Sequence, residues 1–296
     1  MKITVGYLAT PSGDDGVALA TALARALDAS IDIVLVMAVD EPVMEGSGPY
    51  RKILEAKARG WVDDAAAQVP SDIEVTTHVI GHESFARALI DFAVNSDADM
   101  IVVGGASDGL LNRHSIGSVA GQLLHASEVP LALAPRGYRL SSAPITDLTV
   151  AVPTRSSAPN PLPFAFTLAS AAHVPLRLVS LVSLESTGTP SDETSLDTRR
   201  RQVAAAQENL ELAARTLPGI EGLESVVADG STLDEAVGNL EWKPGDVLLL
   251  GSSRLATPKR VFLGSSAAKI LRAAPVPVVV VPHERAASPH VSRQHT

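Results

Sequence analysis

Two stretches of the chain follow one pattern: Asp99-Met100-Ile101-Val102-Val103-Gly104 and Asp246-Val247-Leu248-Leu249-Leu250-Gly251. Each is an apolar run between an aspartate and a glycine, which is typical of a strand buried on both faces of a parallel sheet. The two stretches lie 147 residues apart, from 99 to 246. A match at a fixed offset indicates that one structural unit occurs twice in the chain.

The same offset holds on both sides of this strand. It relates Gly117-Ser118 to Gly264-Ser265, and it relates the segment 130–135 to the segment 277–282, both of which begin and end with proline. Near the start of each half the offset is 145, from Thr4-Val5 to Thr149-Val150, so one small insertion separates the two copies. We interpret the chain as a tandem duplication.

Each half alternates strands and helices, which favours right-handed crossovers and a parallel sheet with helices on both faces. We therefore predict the α/β class, with two tandem doubly wound, Rossmann-like domains that each hold a five-stranded parallel sheet. The predicted domains are 1–140 and 147–283, joined by a short linker at 137–146, with a disordered tail at 284–296. The first half has predicted strands at 2–8, 31–39, 73–80, 99–104 and 130–135 and helices at 14–28, 49–69, 83–96 and 117–126; the second has strands near 147–152, 175–182, 223–228, 246–250 and 277–281.

The composition excludes several functional classes. A chain of 296 residues suits two domains of about 150 residues each. Without cysteine there is neither a disulfide framework nor a thiol nucleophile. The net charge of −9 and scattered basic residues argue against nucleic acid as a partner. No apolar run reaches the roughly 18 residues of a membrane span, and the N-terminus reads as a strand rather than a signal peptide, so we expect a cytoplasmic protein.

A polar loop follows the buried strand of each half and ends in Gly-Ser at the start of a helix. In the first half Gly104 to Ser107 precedes nine residues and then Gly117-Ser118; in the second, Gly251 to Arg254 precedes nine residues and then Gly264-Ser265-Ser266. The N–H groups and dipole at a helix N-terminus bind anions. The pattern therefore predicts an anion or nucleotide site, with plain helix capping by glycine and serine as the alternative.

This loop resembles that of the universal stress protein family, whose nucleotide-binding members carry Gly-x2-Gly-x9-Gly-Ser/Thr before a final strand rich in proline and valine. The segments 130–135 and 277–282 match that ending, and the resemblance covers nearly the whole chain in its tandem form. It implies an adenine-nucleotide-hydrolase-like fold and a stress-response regulator that binds ATP or another adenine nucleotide, with or without Mg²⁺. It also implies an intramolecular pseudo-dimer through the final strands, and the capacity to form a homodimer. The implied binding residues are Gly104, Ser107, Gly117, Ser118, Gly251, Arg254, Gly264, Ser265 and Ser266.

Two features of the family's nucleotide site are altered in both halves. The second glycine of the motif is replaced by Ser107 and Arg254, and the family's aspartate at the end of strand one is replaced by Leu8 and Pro153. Arg254 could block the ribose region or reach a phosphate, whereas Ser107 is small, so the sequence favours the first half as the binder. A nucleotide-free interaction scaffold with vestigial pockets stays open as the alternative. We identify no catalytic residue and expect at most slow ATP hydrolysis.

The segment Ser12-Gly13-Asp14-Asp15-Gly16 faintly resembles the loop of ATP pyrophosphatases, which would indicate an adenylating enzyme. We favour a polar turn in which Asp14 or Asp15 caps the following helix and complements its dipole. The second glycine of the pyrophosphatase loop is missing, and the other half has no counterpart.

The histidines and loop cations indicate no metal site. His78 and His82 are four residues apart but do not share a helix, and we expect the eight histidines to face solvent. His125 is predicted at a helix end. Arg113 and His114 in one loop, and Lys259 and Arg260 in the other, place positive charge near the Gly-Ser pairs, where they would meet phosphates or remain solvated.

Overall fold

A computed structural model describes residues 1–38, 48–105, 113–114, 116–141, 143–153, 161–183, 192–217, 223–253 and 260–282. For residues 48–51 and 192–196 this description is limited to the backbone. The tail predicted at 284–296 lies outside the described residues.

Strands and helices alternate through both halves, as predicted. The first half contains β1 (Lys2–Gly6), α1 (Pro11–Leu27), β2 (Ser30–Met37), α2 (Gly48–Ala66), β3 (Val75–Gly81), α3 (Phe85–Asn95), β4 (Met100–Gly104), α4 (Ser118–Ala126) and β5 (Leu131–Ala134). After a 3-10 turn at Tyr138–Leu140, the second half contains β6 (Asp147–Ala151), α5 (Leu162–Ala172), β7 (Leu176–Ser183), α6 (Asp192–Arg215), β8 (Glu224–Gly230), α7 (Leu233–Gly238), β9 (Asp246–Gly251), α8 (Ser265–Ala273) and β10 (Val278–Val281).

The strands form one ten-stranded sheet in the order β3-β2-β1-β4-β5-β10-β9-β6-β7-β8. Within each half all the strand pairs are parallel, which confirms the predicted fold. The halves meet where β5 and β10 pair antiparallel, with Leu131 opposite Val280 and Leu133 opposite Val278. The expected intramolecular pairing through the final strands is therefore present. Because that pair is antiparallel, the carboxyl ends of the two sets of strands lie at opposite edges of the sheet.

Each face of the sheet carries a hydrophobic core that runs through both halves. Alternate residues of a strand point to opposite faces, so Met100 and Val102 of β4 pack on one side and Ile101 and Val103 on the other. The first core is covered by α1, α2, α5 and α6, through residues such as Leu19, Val62, Leu168 and Leu210. The second is covered by α3, α4, α7 and α8, through Leu89, Leu123, Val237 and Leu271.

Helix α1 begins at Pro11, earlier than the predicted start at residue 14. Thr10 is its N-cap, and the Thr10 hydroxyl accepts a hydrogen bond from the Gly13 N–H at 3.3 Å. Proline at the first helical position is favoured because its fixed φ suits the helix and its missing N–H needs no partner there. The predicted capping role of Asp14 or Asp15 is thus wrong, although Asp14 lies in the first turn as a dipole partner should.

Candidate functional site

The strand order reverses its winding between β1 and β4 in the first half, and between β6 and β9 in the second. In open α/β sheets, ligands bind at such points, outside the carboxyl ends of the strands. We call these places the first crevice, between the ends of β1 and β4, and the second crevice, between the ends of β6 and β9. The predicted residues Gly104 and Gly251 are the last residues of β4 and β9.

The first turns of α1 pack against the β4 side of the first crevice. A Cβ added at Gly104 would lie 1.8 Å from the carbonyl oxygen of Ser12, so the Ser12 backbone stands directly against Gly104. The Ser12 hydroxyl donates a hydrogen bond to the carbonyl oxygen of Gly105. A Cβ at Gly16 would lie 3.1 Å from the Gly104 nitrogen. This close approach depends on glycines on both sides of the contact.

Asp15 fixes the other side of the same helix. Its carboxylate is 1% exposed and accepts hydrogen bonds from the Gly137 N–H at 2.7 Å, from the Arg139 N–H at 3.1 Å and from the Arg139 guanidinium at 2.9 Å. A buried carboxylate needs such donors, because an unpaired one would strongly destabilise the fold. Asp15 thus ties α1 to the segment between the halves rather than facing a ligand.

Tyr7 follows β1, and its hydroxyl donates a hydrogen bond to the Asp14 carboxylate at 3.4 Å. Burial and the Asp14 charge raise the pKa of Tyr7 to about 12. Near neutral pH the phenol is therefore protonated and cannot serve as a general base.

Ser252 and Ser253 build the second crevice on the β9 side. The Ser252 hydroxyl accepts a hydrogen bond from the Phe262 N–H at 2.6 Å, and the Ser253 N–H donates to the Phe262 carbonyl at 2.7 Å. These bonds close the base of the loop that separates β9 from α8. A Cβ at Gly264 would lie 3.2 Å from the Ser253 Cβ, so the strand end and the helix start are neighbours.

The two predicted Gly-Ser pairs occupy equivalent helix starts. Gly117 is the N-cap of α4, with φ −71° and ψ 171°, and Gly264 is the N-cap of α8, with φ −70° and ψ 165°. By contrast, the side chains of Thr10, Ser84 and Thr232 cap their own helices. A glycine N-cap has no side chain that could accept hydrogen bonds from the first N–H groups of the helix. These N–H groups can therefore donate to a ligand.

The hydroxyl residues at these helix starts face outward, since Ser118, Ser265 and Ser266 are exposed. The other predicted binding residues, Ser107 and Arg254, lie outside the described residues. Sequence reasoning missed Ser12, Ser252 and Ser253. Thr10-Pro11 was an available signal for Ser12, because proline after a threonine N-cap marks a helix start.

Arg113 and His114 lie at the seam between the halves. The Arg113 guanidinium donates to the carbonyl oxygen of Ala273 at the end of α8. The His114 Nε2–H donates to the carbonyl oxygen of Val276 at 2.7 Å, since a carbonyl can only accept. Arg113 is exposed, as expected of a solvated loop charge, whereas His114 is buried and does not have that role.

The second half also donates hydrogen bonds to the first half. The Val261 N–H donates to the Ser127 carbonyl at 2.7 Å, and the Leu263 N–H donates to the Leu124 carbonyl at 3.1 Å. Arg260 lies 3.6 Å from the carboxylate of Glu128, and Lys259 is outside the described residues. Each Gly-Ser loop therefore docks, near its end, on the other half.

His114 is 6% exposed and is not the solvent-facing histidine that was expected. Burial is the main cause that lowers the pKa of His114 to about 4; the hydrogen bond to the Val276 carbonyl opposes this shift, and the nearby Arg113 charge adds to it. His114 is therefore neutral at the seam near neutral pH.

His78 also differs from the solvent-facing default, whereas His125 is exposed as expected. His78 is half-buried on β3, with Nε2 3.1 Å from the Asp32 carboxylate. His125 lies in the last turn of α4, as predicted, and its ring centroid is 5.0 Å from that of Phe262 across the seam.

The described part of the chain holds no group of three or more histidine, aspartate or glutamate side chains that could bind a metal ion. Among the same residues, none of the helices has both the length and the apolar character needed to span a bilayer.

Comparison with known proteins identifies relatives that cover 95% of the chain. The model of the Universal stress protein family matches residues 1–135 and 146–282. Universal stress protein Rv2319c of Mycobacterium tuberculosis is 30% identical over 296 residues, which cover 95% of this chain and 100% of the relative.

The solved structures with a similar fold include universal stress proteins. One from Archaeoglobus fulgidus matches with a TM-score of 0.62 at 16% identity, over 95% of this chain and 98% of its own. A putative universal stress protein from Pseudomonas aeruginosa matches with a TM-score of 0.57 at 14% identity, over 95% of this chain and 92% of its own. With two family matches along one sheet and a relative that covers 95% of its length, this chain belongs to the universal stress protein family in its tandem form.

Proposed function

We propose that the chain is a nucleotide-responsive regulatory protein that binds an adenine nucleotide, ATP with or without Mg²⁺, outside the carboxyl ends of its strands. The observation that carries this proposal is the pair of glycine N-caps, Gly117 and Gly264, with nearly identical backbone angles. Helices α1, α3 and α7 instead use a threonine or serine side chain at this position. The duplication has therefore kept, twice, the helix start that leaves N–H groups for an anion.

The chemistry available at these helix starts is binding rather than turnover. Backbone N–H groups and the hydroxyls of Ser118, Ser265 and Ser266 can donate to phosphate oxygens. Gly104 and Gly251 would let the nucleotide approach the strand ends, and Ser107 and Arg254 are the proposed loop contacts. We assign no general base, so any hydrolysis would be slow.

Thermal unfolding with and without nucleotide tests the proposal. At a free ATP concentration 100-fold above Kd, binding should stabilise the chain by about 2.7 kcal/mol, which raises the melting temperature. ADP and AMP should give smaller shifts as phosphates are removed, and adenosine serves as the control that lacks phosphate. Titration calorimetry should detect the same order of affinities. If millimolar ATP moves neither the melting temperature nor the heat signal, the proposed function is wrong.

An interaction scaffold without nucleotide is the second candidate, and the outer face of α2 favours it. Ile53 is 64% exposed and Trp61 is 38% exposed, and they lie on one face of the helix with Lys57, whose ammonium is 5.2 Å from the Trp61 ring centroid. Leu54 beside them is 41% exposed. Grouped apolar side chains on a surface often mark a protein contact. Absence of any nucleotide effect would leave this candidate in place.

A further inference from the structure

We infer that a second copy of this chain docks on the outer side of α2, with the two α2 helices antiparallel. The docking surface is a line of exposed residues, which we call the α2 stripe: Ile53, Ala56, Lys57, Gly60 and Asp64. The inference names a partner for this surface, and it holds whether or not the chain binds nucleotide.

The α2 stripe lies on the side of the helix that faces away from the sheet. Its members are spaced three or four residues apart, which places them along one side of a helix. The opposite side is buried in the core through Ala58, Val62 and Ala65, each at most 1% exposed. Helix α2 packs on β2 and β3, and β3 is the outermost strand of the sheet, so a second copy can reach the stripe.

The equivalent helix of the second half shows that the fold does not require apolar residues on this outer side. The buried side of α6 repeats that of α2 at an offset of 148, from 58 to 206, with Ala206, Leu210 and Ala213. At the same offset the outer positions are polar in α6: Arg201 for Ile53, Glu208 for Gly60 and Asn209 for Trp61. Ile53 and Trp61 are therefore not needed for packing within one chain, and a large aromatic side chain on a surface is typical of a protein contact.

The charges of the stripe favour a second copy as the partner. Lys57 precedes Gly60 by three residues and Asp64 follows it by four. When two α2 helices cross antiparallel near Gly60, Lys57 of each copy lies beside Asp64 of the other, so one two-fold contact contains two ion pairs. A parallel arrangement would place like charges together, so the charges also fix the orientation.

Gly60 allows the two helices to approach closely at their crossing point. Glycine destabilises the interior of a helix relative to alanine. Among the described residues, a Cβ added at Gly60 would meet no atom within 4 Å, so packing within the chain does not require glycine there. A second helix that crosses at this point gives the missing side chain a role.

Sedimentation velocity of the full-length chain tests the inference, at roughly 1 μM to 1 mM because a contact of one helix per copy belongs to the weak class of interfaces. The sedimenting mass should rise with concentration from that of one chain toward that of two. Ile53→Glu should raise the dimer dissociation constant at least about tenfold, because the added carboxylate would be buried against the second helix. Arg201→Glu is the matched control at the equivalent position of α6, and it should keep the constant within about twofold.

A charge exchange gives a second result that does not depend on Ile53. Lys57→Asp and Asp64→Lys should each weaken the dimer, and the double variant should restore it to within about twofold of the native constant. Because the two residues are seven apart, roughly 10 Å along the helix, they cannot pair within one chain, so the rescue reports a contact between copies.

A chain that stays monomeric at 1 mM, a dimer that Ile53→Glu leaves unchanged, or a double variant that stays as weak as the single ones would overturn the inference. Equal loss of the dimer in Arg201→Glu would overturn it as well, because the contact would then involve α6. These measurements contain no nucleotide, so the proposed function is judged separately by the thermal shifts with ATP.

Discussion

At the scale of single residues, His114 shows how a loop cation becomes part of the interior. Its neighbours in sequence suggest a polar loop, yet the imidazole is buried and bonded to Val276 of the other half. Among the described residues, its Nδ1 has no hydrogen-bond partner. This arrangement requires the neutral ring, because a proton on Nδ1 would be a buried charge beside Arg113.

This burial predicts a loss of stability in acid. The unfolded chain binds a proton at His114 below pH 6.5, whereas the folded chain resists protonation down to about pH 4. Since the unfolded state binds more protons in this window, the contribution of His114 is complete above pH 6.5 and declines as the pH falls toward 4, by up to about 3 kcal/mol.

Urea unfolding at several pH values measures this effect. His114→Gln keeps an N–H donor for the Val276 carbonyl but cannot titrate, so its free energy of unfolding should change less between pH 6.5 and 4 than that of the native chain. Parallel pH profiles for the two proteins would show that His114 does not carry the effect.

At the scale of elements, the close contact between α1 and β4 depends on the glycine at the end of the strand. Gly104→Ala would place a methyl group 1.8 Å from the Ser12 carbonyl oxygen. Overpacking of this kind typically costs about 1–3 kcal/mol, and here the obstructing atom belongs to the backbone. We expect a clear drop in the midpoint of denaturant unfolding.

Gly60→Ala is the control for that substitution. Gly60 lies within α2, and a Cβ there meets no atom within 4 Å. Alanine should therefore stabilise the helix by about 0.5–1 kcal/mol. The free energy of unfolding should thus rise in Gly60→Ala and fall in Gly104→Ala. If Gly104→Ala left the midpoint of denaturant unfolding unchanged, α1 would not be packed tightly on β4.

The elements themselves could be predicted largely from local pattern. The runs at 99–104 and 246–250 are apolar throughout, and β4 and β9 lie there because buried parallel strands have that composition. The start of α1 was placed late because Ser12-Gly13-Asp14 reads as a turn when considered alone. Gly16, just beyond this stretch, serves the packing on Gly104, which is a tertiary contact between residues far apart in sequence. The site residues at the helix starts were foreseeable from the Gly-Ser repeat, whereas the contacts of Ser12 and His114 were not.

At the scale of the whole molecule, duplication has produced one continuous sheet with two crevices. The antiparallel pairing of β5 with β10 places the crevices at opposite edges of the sheet, and the loop ends at Arg113 and Val261 dock on the opposite half. The halves therefore share a core and a seam. We propose that nucleotide binds at the glycine N-caps of α4 and α8, outside the carboxyl ends of the strands.

Hydrogen–deuterium exchange with and without saturating ATP tests this central claim most directly, because it locates binding by segment in the unaltered chain. We predict slower exchange in the first turns of α4 and α8, at 118–121 and 265–268, because both helices begin at a glycine N-cap. Unchanged exchange in both first turns would contradict the account.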